Sequence, residues 1–337
     1  MSETRTILED SAAKLFAAFE DPAILRRVEA GEYPAEIWKG ISELGLEQIF
    51  AASDDPWRDA GALLKACGRQ VVPAPLAETL IAGALLAEAG LEAPEGAVAI
   101  ASPLNGLLSV DDDGAVSGSL ARVAWGRWAG HVVAPVEGGI VLVPVAAAGV
   151  VEDLAIGREP RDTLNFHKTA VVASAPLRDG AVIQYGALMR AAQMAGAIEA
   201  VLAMTVQYAR ERSQFGKPIG SFQAIQHQLA ILAGHSAASS RAADAAFDRV
   251  ADGGDSGFEA AVAKIRVGEA AGVACSIAHQ THGAIGFTDE HRLHYFTRRL
   301  WSWRTEFGSE GFWSARLGAR MAAYGPEQFW PIVTAAG

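Results

Sequence analysis

The sequence predicts a mainly α-helical protein with a small β domain between two helical parts. Three observations carry this reading. Apolar residues fall at helical spacing over residues 3–92 and again from 181 onward. Residues 96–176 break instead into short β-branched runs. Gly, Asp and Pro gather at the changes of character. The resulting domain limits are 1–94 for a helical N-terminal domain, 95–177 for an abbreviated middle β domain, and 178–337 for a C-terminal helical bundle.

In the first part, Leu8, Ala12, Leu15, Phe16 and Phe19 share a helix face. A short helix follows over Ala35–Leu44, stopped by Gly45, and another over Ala60–Cys67. Pro73 and Pro75 interrupt the chain before a helix over Leu76–Ala89. The middle part offers strands at Val98–Ile100, Leu107–Val110, Val116–Val123, Val132–Val133, Ile140–Val143 and Val171–Val172. Asp111-Asp-Asp-Gly114 is a hairpin turn, so a small antiparallel sheet or barrel is expected. The last part predicts helices over 181–212, 222–251, 257–282, 289–303 and 309–323, with connections short enough for an antiparallel bundle. Small residues in Ala191–Ala197 and Gly268–Ala274 suit close helix contact.

Composition narrows the functional classes. The chain has 337 residues, 50% apolar and 20% charged, with a net charge of −11, which argues against general nucleic-acid binding. Its two cysteines, Cys67 and Cys275, give no disulfide framework or Cys-rich metal site. Residues 1–20 lack the basic start and apolar core of a signal peptide, and no run of 18 apolar residues suggests a membrane span. A bacterial cytoplasmic location is expected.

The stretch with most chemistry is Tyr208-Ala-Arg-Glu-Arg-Ser-Gln-Phe-Gly-Lys-Pro-Ile219, followed by Ser221-Phe-Gln-Ala-Ile-Gln226. Phe215-Gly-Lys-Pro218 must turn the chain between two long helices. Arg210, Arg212 and Lys217 then crowd one end of a helical hairpin, an arrangement suited to phosphate or pyrophosphate. This stretch resembles the acyl-CoA dehydrogenase flavoprotein family, whose signature is Arg-x-x-Phe-Gly followed by Phe-Gln-x-x-Gln. His279-Gln-Thr-His-Gly-Ala-Ile-Gly-Phe287 resembles the family's Gln-x-x-Gly-Gly-x-Gly pattern, with Ala284 replacing one Gly. Leu44-Gly-Leu46, Gly68-Arg69 and Pro73-x-Pro75-Leu-Ala-Glu78 resemble its N-terminal helical domain.

The resemblance implies a helical N-terminal domain, a middle β-barrel or sheet and a C-terminal antiparallel four-helix bundle. It implies FAD as cofactor and an acyl-CoA thioester as substrate, with an electron acceptor left open. By resemblance, Arg212, Gln214 and Phe215 reach the FAD of a neighbouring subunit. Gln223 and Gln280 add hydrogen bonds, and Gly283 and Gly286 let the backbone approach. In the family a carboxylate removes the α-proton while hydride passes to the flavin.

The base is harder to place. The family's usual Glu lies just before a Gly downstream of an Arg. Here Arg298-Arg-Leu-Trp-Ser-Trp-Arg-Thr-Glu-Phe-Gly308 puts Phe307 at that position, with Glu306 one residue early. Glu306 is the catalytic candidate; the other reading is a solvated or salt-bridged Glu near Arg304. A minority of the family carries its base about seven helical turns before Arg-x-x-Phe-Gly, which falls near Gly186, and no Asp or Glu lies between Asp179 and Glu199. The family's Thr-Glu-Pro-x-x-Gly-Ser-Asp wall is also missing, because Ala99-Ile-Ala-Ser-Pro-Leu-Asn-Gly106 stands there. His279 and His282, like His291 and His294, are three apart, but no Glu-x-x-His accompanies them and no metal is expected.

Two functions follow. The first is a subunit of an FAD-dependent acyl-CoA dehydrogenase, acting with a homologous longer subunit as a heterotetramer, for example on steroid-like acyl groups, or by self-association. The second is a flavin-free assembly or binding module on the same fold. A self-sufficient dehydrogenase using Glu306 is the remaining alternative.

Overall fold

The computed structural model describes residues 3–335. Six helices open the chain: α1 (Glu3–Ala17), α2 (Pro22–Glu29), α3 (Ala35–Glu43), α4 (Ile49–Ala52), α5 (Pro56–Gln70) and α6 (Leu76–Glu88). The helix expected over Ala60–Cys67 is longer because Pro56 occupies its first turn, where a missing N–H costs nothing.

The β domain is two four-stranded sheets. One has the order β1 (Val98–Ile100), β4 (His131–Val136), β5 (Gly139–Pro144), β8 (Ala173–Pro176). The other runs β2 (Ser109–Val110), β3 (Val116–Ala124), β7 (Arg161–Thr169), β6 (Gly149–Val151). Leu120, Val132, Val141, Leu164 and Phe166 fill the space between them. Three expectations need correction. The β1–β4 pair is parallel, not antiparallel, because β2 and β3 intervene in sequence but lie in the other sheet. Val171 and Val172 connect β7 to β8 rather than forming a strand. β7 itself lay hidden because buried Arg161 and Asp162 interrupt its apolar alternation.

From α7 (Ala181–Glu211) the chain is helical again, through α8 (Gln223–Ala251), α9 (Gly257–His282), α10 (Leu293–Trp303), α11 (Glu310–Tyr324) and α12 (Pro326–Ala335). Helix α7 is buried all round in its first half and runs through the centre, as a mostly apolar helix must. By length and composition it is apolar enough to cross a membrane, but 72% of its most apolar window is buried inside this protein. A Cβ on Gly196 would strike the carbonyl of Lys65, and one on Gly68 the carbonyl of Gln193. These two glycines therefore bring the backbones of α5 and α7 into contact. One continuous core joins the N-terminal helices, the bundle and the facing side of β1, β4 and β5. Cys67 and Cys275 are both buried as free thiols, and burial pushes the Cys275 thiol up to about 12.

Candidate functional site

The two sequence motifs meet at one end of the bundle. Helices α7 and α9 pack side by side, and Tyr208 near the end of α7 stacks on His282 at the end of α9, with ring centroids 4.4 Å apart. Arg212 caps α7 in extended conformation. Ser213–Gln214 (β9) then pairs with Lys217–Pro218 (β10) across a two-residue turn at Phe215 and Gly216. Both turn residues have positive φ, 52° and 79°, as a tight hairpin of this hand requires. The turn thrusts Phe215 outward, leaving it 91% exposed, while Lys217 lies over the Phe222 ring at 4.4 Å. Arg212, Gln214, Gln223 and Gln280 are all exposed, and among the described residues Arg212 forms no ion pair.

The two motif glycines differ. Gly283 takes φ +63° and has open space where a side chain would stand. Gly286 is buried, and a Cβ there would press on His282, Leu293 and His279 at 3.1–3.2 Å. Its missing side chain lets the 283–287 turn settle on α9. The histidines of this end are engaged with rings: His279 stacks on Phe287 at 4.1 Å, and His291 approaches His282 at 4.6 Å. Burial, with His291 and His279 nearby, lowers the His282 pKa.

At the other candidate position, Glu306 lies in a buried charge cluster. Its carboxylate accepts from Arg161 Nε at 2.7 Å and from Arg190 Nε at 2.7 Å. Arg190 also donates to Glu78 at 2.6 Å. Arg161 donates to Glu159 at 3.0 Å, and Glu159 in turn accepts from Arg299 at 3.2 Å and Trp303 Nε1 at 2.8 Å. The three arginines are each 1% exposed. Burial opposes ionisation of Glu306, but Arg161 and Arg190 outweigh it and hold its carboxyl at about 2. Arg304, the partner considered from sequence, bonds Glu310 instead. Ser309 caps α11 by accepting from Phe312 N.

Phe307 turns the opposite way. It sits at φ +52° and is 6% exposed. The turn is pinned by Lys264, whose Nζ donates to the carbonyls of Arg304 at 2.7 Å and Gly308 at 2.8 Å, and by Trp313 Nε1, which donates to the Phe307 carbonyl at 2.9 Å. The Phe307 ring lies on Gly186 so closely that a Cβ there would fall inside the ring's van der Waals shell. The two positions to which the sequence resemblance assigned a base, 307 and 186, thus lie against each other, with the Phe307 ring packed on Gly186. In a separate cluster, Val28 of α2 packs on Ala124 and Trp125, and Tyr33 meets Trp128 edge-on at 5.6 Å.

Sequence reasoning missed Arg161, Arg190, Glu78 and Glu159. A signal existed for two of them. Arg190 is the only charge in the apolar run 181–198, and Glu78 the only one in the apolar α6 before Glu88. A lone charge in a buried helix needs a partner.

The architecture of helical domain, paired sheets and long-helix bundle is that of an acyl-CoA dehydrogenase. Residues 180–321 match the family model of the acyl-CoA dehydrogenase C-terminal domain. The chain is 30% identical over 307 residues to the acyl-CoA dehydrogenase IpdE2 of Mycobacterium tuberculosis, covering 88% of this chain and 91% of that protein. It therefore belongs to the acyl-CoA dehydrogenase family. Among solved structures it superposes on the ChsE4–ChsE5 complex of Mycobacterium tuberculosis with a TM-score of 0.84 at 21% identity, covering 97% of this chain and 99% of that one. It superposes on a Tcur3481–Tcur3483 steroid ACAD variant with a TM-score of 0.86 at 24% identity, covering 95% and 98%.

Proposed function

We propose that this chain is the base-less subunit of a heteromeric FAD-dependent acyl-CoA dehydrogenase. It contributes contacts to a flavin held mainly by a homologous longer subunit, and that subunit carries the base. The observation that carries this reading is the Phe307 ring on Gly186, beside a Glu306 committed to two arginines. A carboxylate held at about 2 is a poor acceptor for a carbon-bound proton at neutral pH. The substrate class we assign is a steroid-derived acyl-CoA thioester, supported by the solved relatives that are a two-component complex and a steroid dehydrogenase.

The residues at the motif end fit a dinucleotide. Among the described residues Arg212 offers a guanidinium without an ion-paired carboxylate, Gly283 has open space where a side chain would stand, and Gln280 is exposed. When bound, FAD supplies the electron acceptance. Arg212, with Gln214, Phe215, Gln223 and Gln280, binds and orients its phosphate-bearing part.

The test is Glu306→Gln in the purified, flavin-loaded assembly. Flavin reduction by acyl-CoA should keep its rate, whereas loss of a general base would slow it roughly 10²–10⁴-fold. Arg212→Ala should lower flavin occupancy, because a charge-assisted contact is worth ~1.5–3 kcal/mol. An assembly that stays colourless even after co-expression with the longer subunit favours the flavin-free module instead.

A further inference from the structure

We propose that the groove between α4, α6 and the 91–96 segment binds a small organic cation, an ammonium group carried on an aliphatic body. The groove lies in the N-terminal helical domain and shares no residue with the flavin-contact set or the Glu306 cluster. Glu78, next to the groove residue Thr79 on α6, instead bonds Arg190. The volume is about 510 Å³, within the range of small-molecule sites.

The interior suits an aliphatic body. Thr79, Gly83 and Ala87 fall four residues apart on α6 and share one of its faces. Phe50 of α4 and Leu91 add apolar walls, and the Phe50 ring is fixed edge-on against Trp57 at 4.9 Å. The one hydroxyl among these residues is already satisfied: Thr79 Oγ1 donates to Pro75 O at 2.8 Å and accepts from Val98 N at 3.1 Å.

Gly83 keeps this space open. It stands in mid-helix, where glycine is unfavourable, and its φ is not positive. A Cβ there would make only ordinary contact with Phe50, at 3.8 and 3.9 Å. Gly68 and Gly196 differ, since a Cβ on either would strike a carbonyl. Neither backbone conformation nor packing requires a glycine at 83. What its missing side chain leaves is groove volume.

The charge at the groove is wholly negative. Glu47, Glu92 and Glu95 line it, with no Lys, Arg or His. Among the described residues none of the three forms an ion pair, whereas acids just outside do: Glu43 with Lys39 at 3.6 Å and Glu88 with Arg178 at 2.9 Å. Glu47 stands in the short turn Leu46–Gln48 before α4 and is half-buried. Its Oε2 is shielded from solvent and has no hydrogen-bond partner in the structure. A carboxylate partly withdrawn from water without a partner is costly, and an ammonium beside it supplies a charge-assisted hydrogen bond. Glu92 and Glu95 are exposed and add attraction across solvent. The same three charges repel carboxylates and phosphates, so the groove selects against the phosphate-bearing thioester.

Probes of one chain length separate the charge from the apolar body. Calorimetric titration of the full-length chain with octylammonium, below its aggregation concentration, should show saturable binding. Octan-1-ol should bind about tenfold or more weakly, and octanoate should not displace octylammonium. Glu47→Gln should weaken octylammonium about tenfold or more and narrow its advantage over octan-1-ol, with an unchanged thermal melt. Glu92→Gln and Glu95→Gln should weaken it less, by amounts that fade at high salt. Gly83→Leu should fill the groove and abolish binding while the melt holds or rises. Absence of saturable binding, or equal affinity for octylammonium and octan-1-ol, overturns the proposal. Octylammonium binding that survives both Glu47→Gln and Gly83→Leu also overturns it, because the cation then sits elsewhere.

Discussion

At the α7–α8 turn, Arg210, Arg212 and Lys217 stand in solvent and none of them has a carboxylate partner among the described residues. At the 304–308 turn, each fully buried arginine has one. The first arrangement leaves charge available to an incoming anion, and it costs little in water. The second uses charge internally. Removing one partner there strands the others in a low-dielectric interior, whereas removing an exposed cation strands nothing. The difference separates charge left open to solvent from charge closed in by the fold.

The largest expected effect follows from that asymmetry. Arg190→Ala leaves Glu78 and Glu306 without a shared cation and should cost about 3–5 kcal/mol in urea denaturation. Arg212→Ala should change stability by less than about 0.5 kcal/mol. Equal losses in the two variants would erase the contrast.

The next effect depends on pH. The Glu306 pKa falls from an ordinary 4.5 to about 2 in the folded chain. A depressed carboxyl contributes stability that is complete above its unfolded pKa and is lost as pH falls through the folded one. Stability should thus decline between about pH 4.5 and 2 by roughly 3 kcal/mol from this group. Denaturation midpoints measured across that window should flatten in Glu306→Gln. An unchanged slope in the variant would show that other carboxylates dominate.

A smaller effect tests the ring contact. Gly186→Ala should overpack Phe307 and destabilise by about 1–3 kcal/mol. The same change in a Phe307→Leu background should cost less, because the two sites touch and their effects are not additive. Strict additivity in a double-mutant cycle would mean that the ring simply moves aside.

Much of the fold was readable because its signals are local. The apolar run of α7, the Phe215–Gly216 turn and the β-branched segments each announce themselves within a short window. The motif end was readable for the same reason, since Arg212 and Gln280 sit in contiguous patterns. The charge cluster was not. Arg161 and Glu306 are 145 residues apart and meet only when β7 packs under the 304–308 turn. The identity of Glu306's partners is a property of tertiary structure, and Arg304, two residues away in sequence, was the natural but incorrect choice. The same cause hid β7, whose buried Arg161 and Asp162 look like loop residues until their partners are known. Asp162, for example, accepts from the backbone of Arg127 at 2.7 Å.

The Phe307 ring on Gly186 has a further consequence, for the routes by which such a chain can change over generations. A carboxylate placed at 186 alone collides with the ring. One placed at 307 alone exchanges a packed ring for a second acid beside Glu306, in a shell where the buried arginines are already matched. Each substitution is disfavoured while the other residue remains, so neither intermediate offers selection a foothold. On the proposed reading, in which the base lies on a partner subunit, gaining one here would need two changes together. The contact would then work as a ratchet on this subunit.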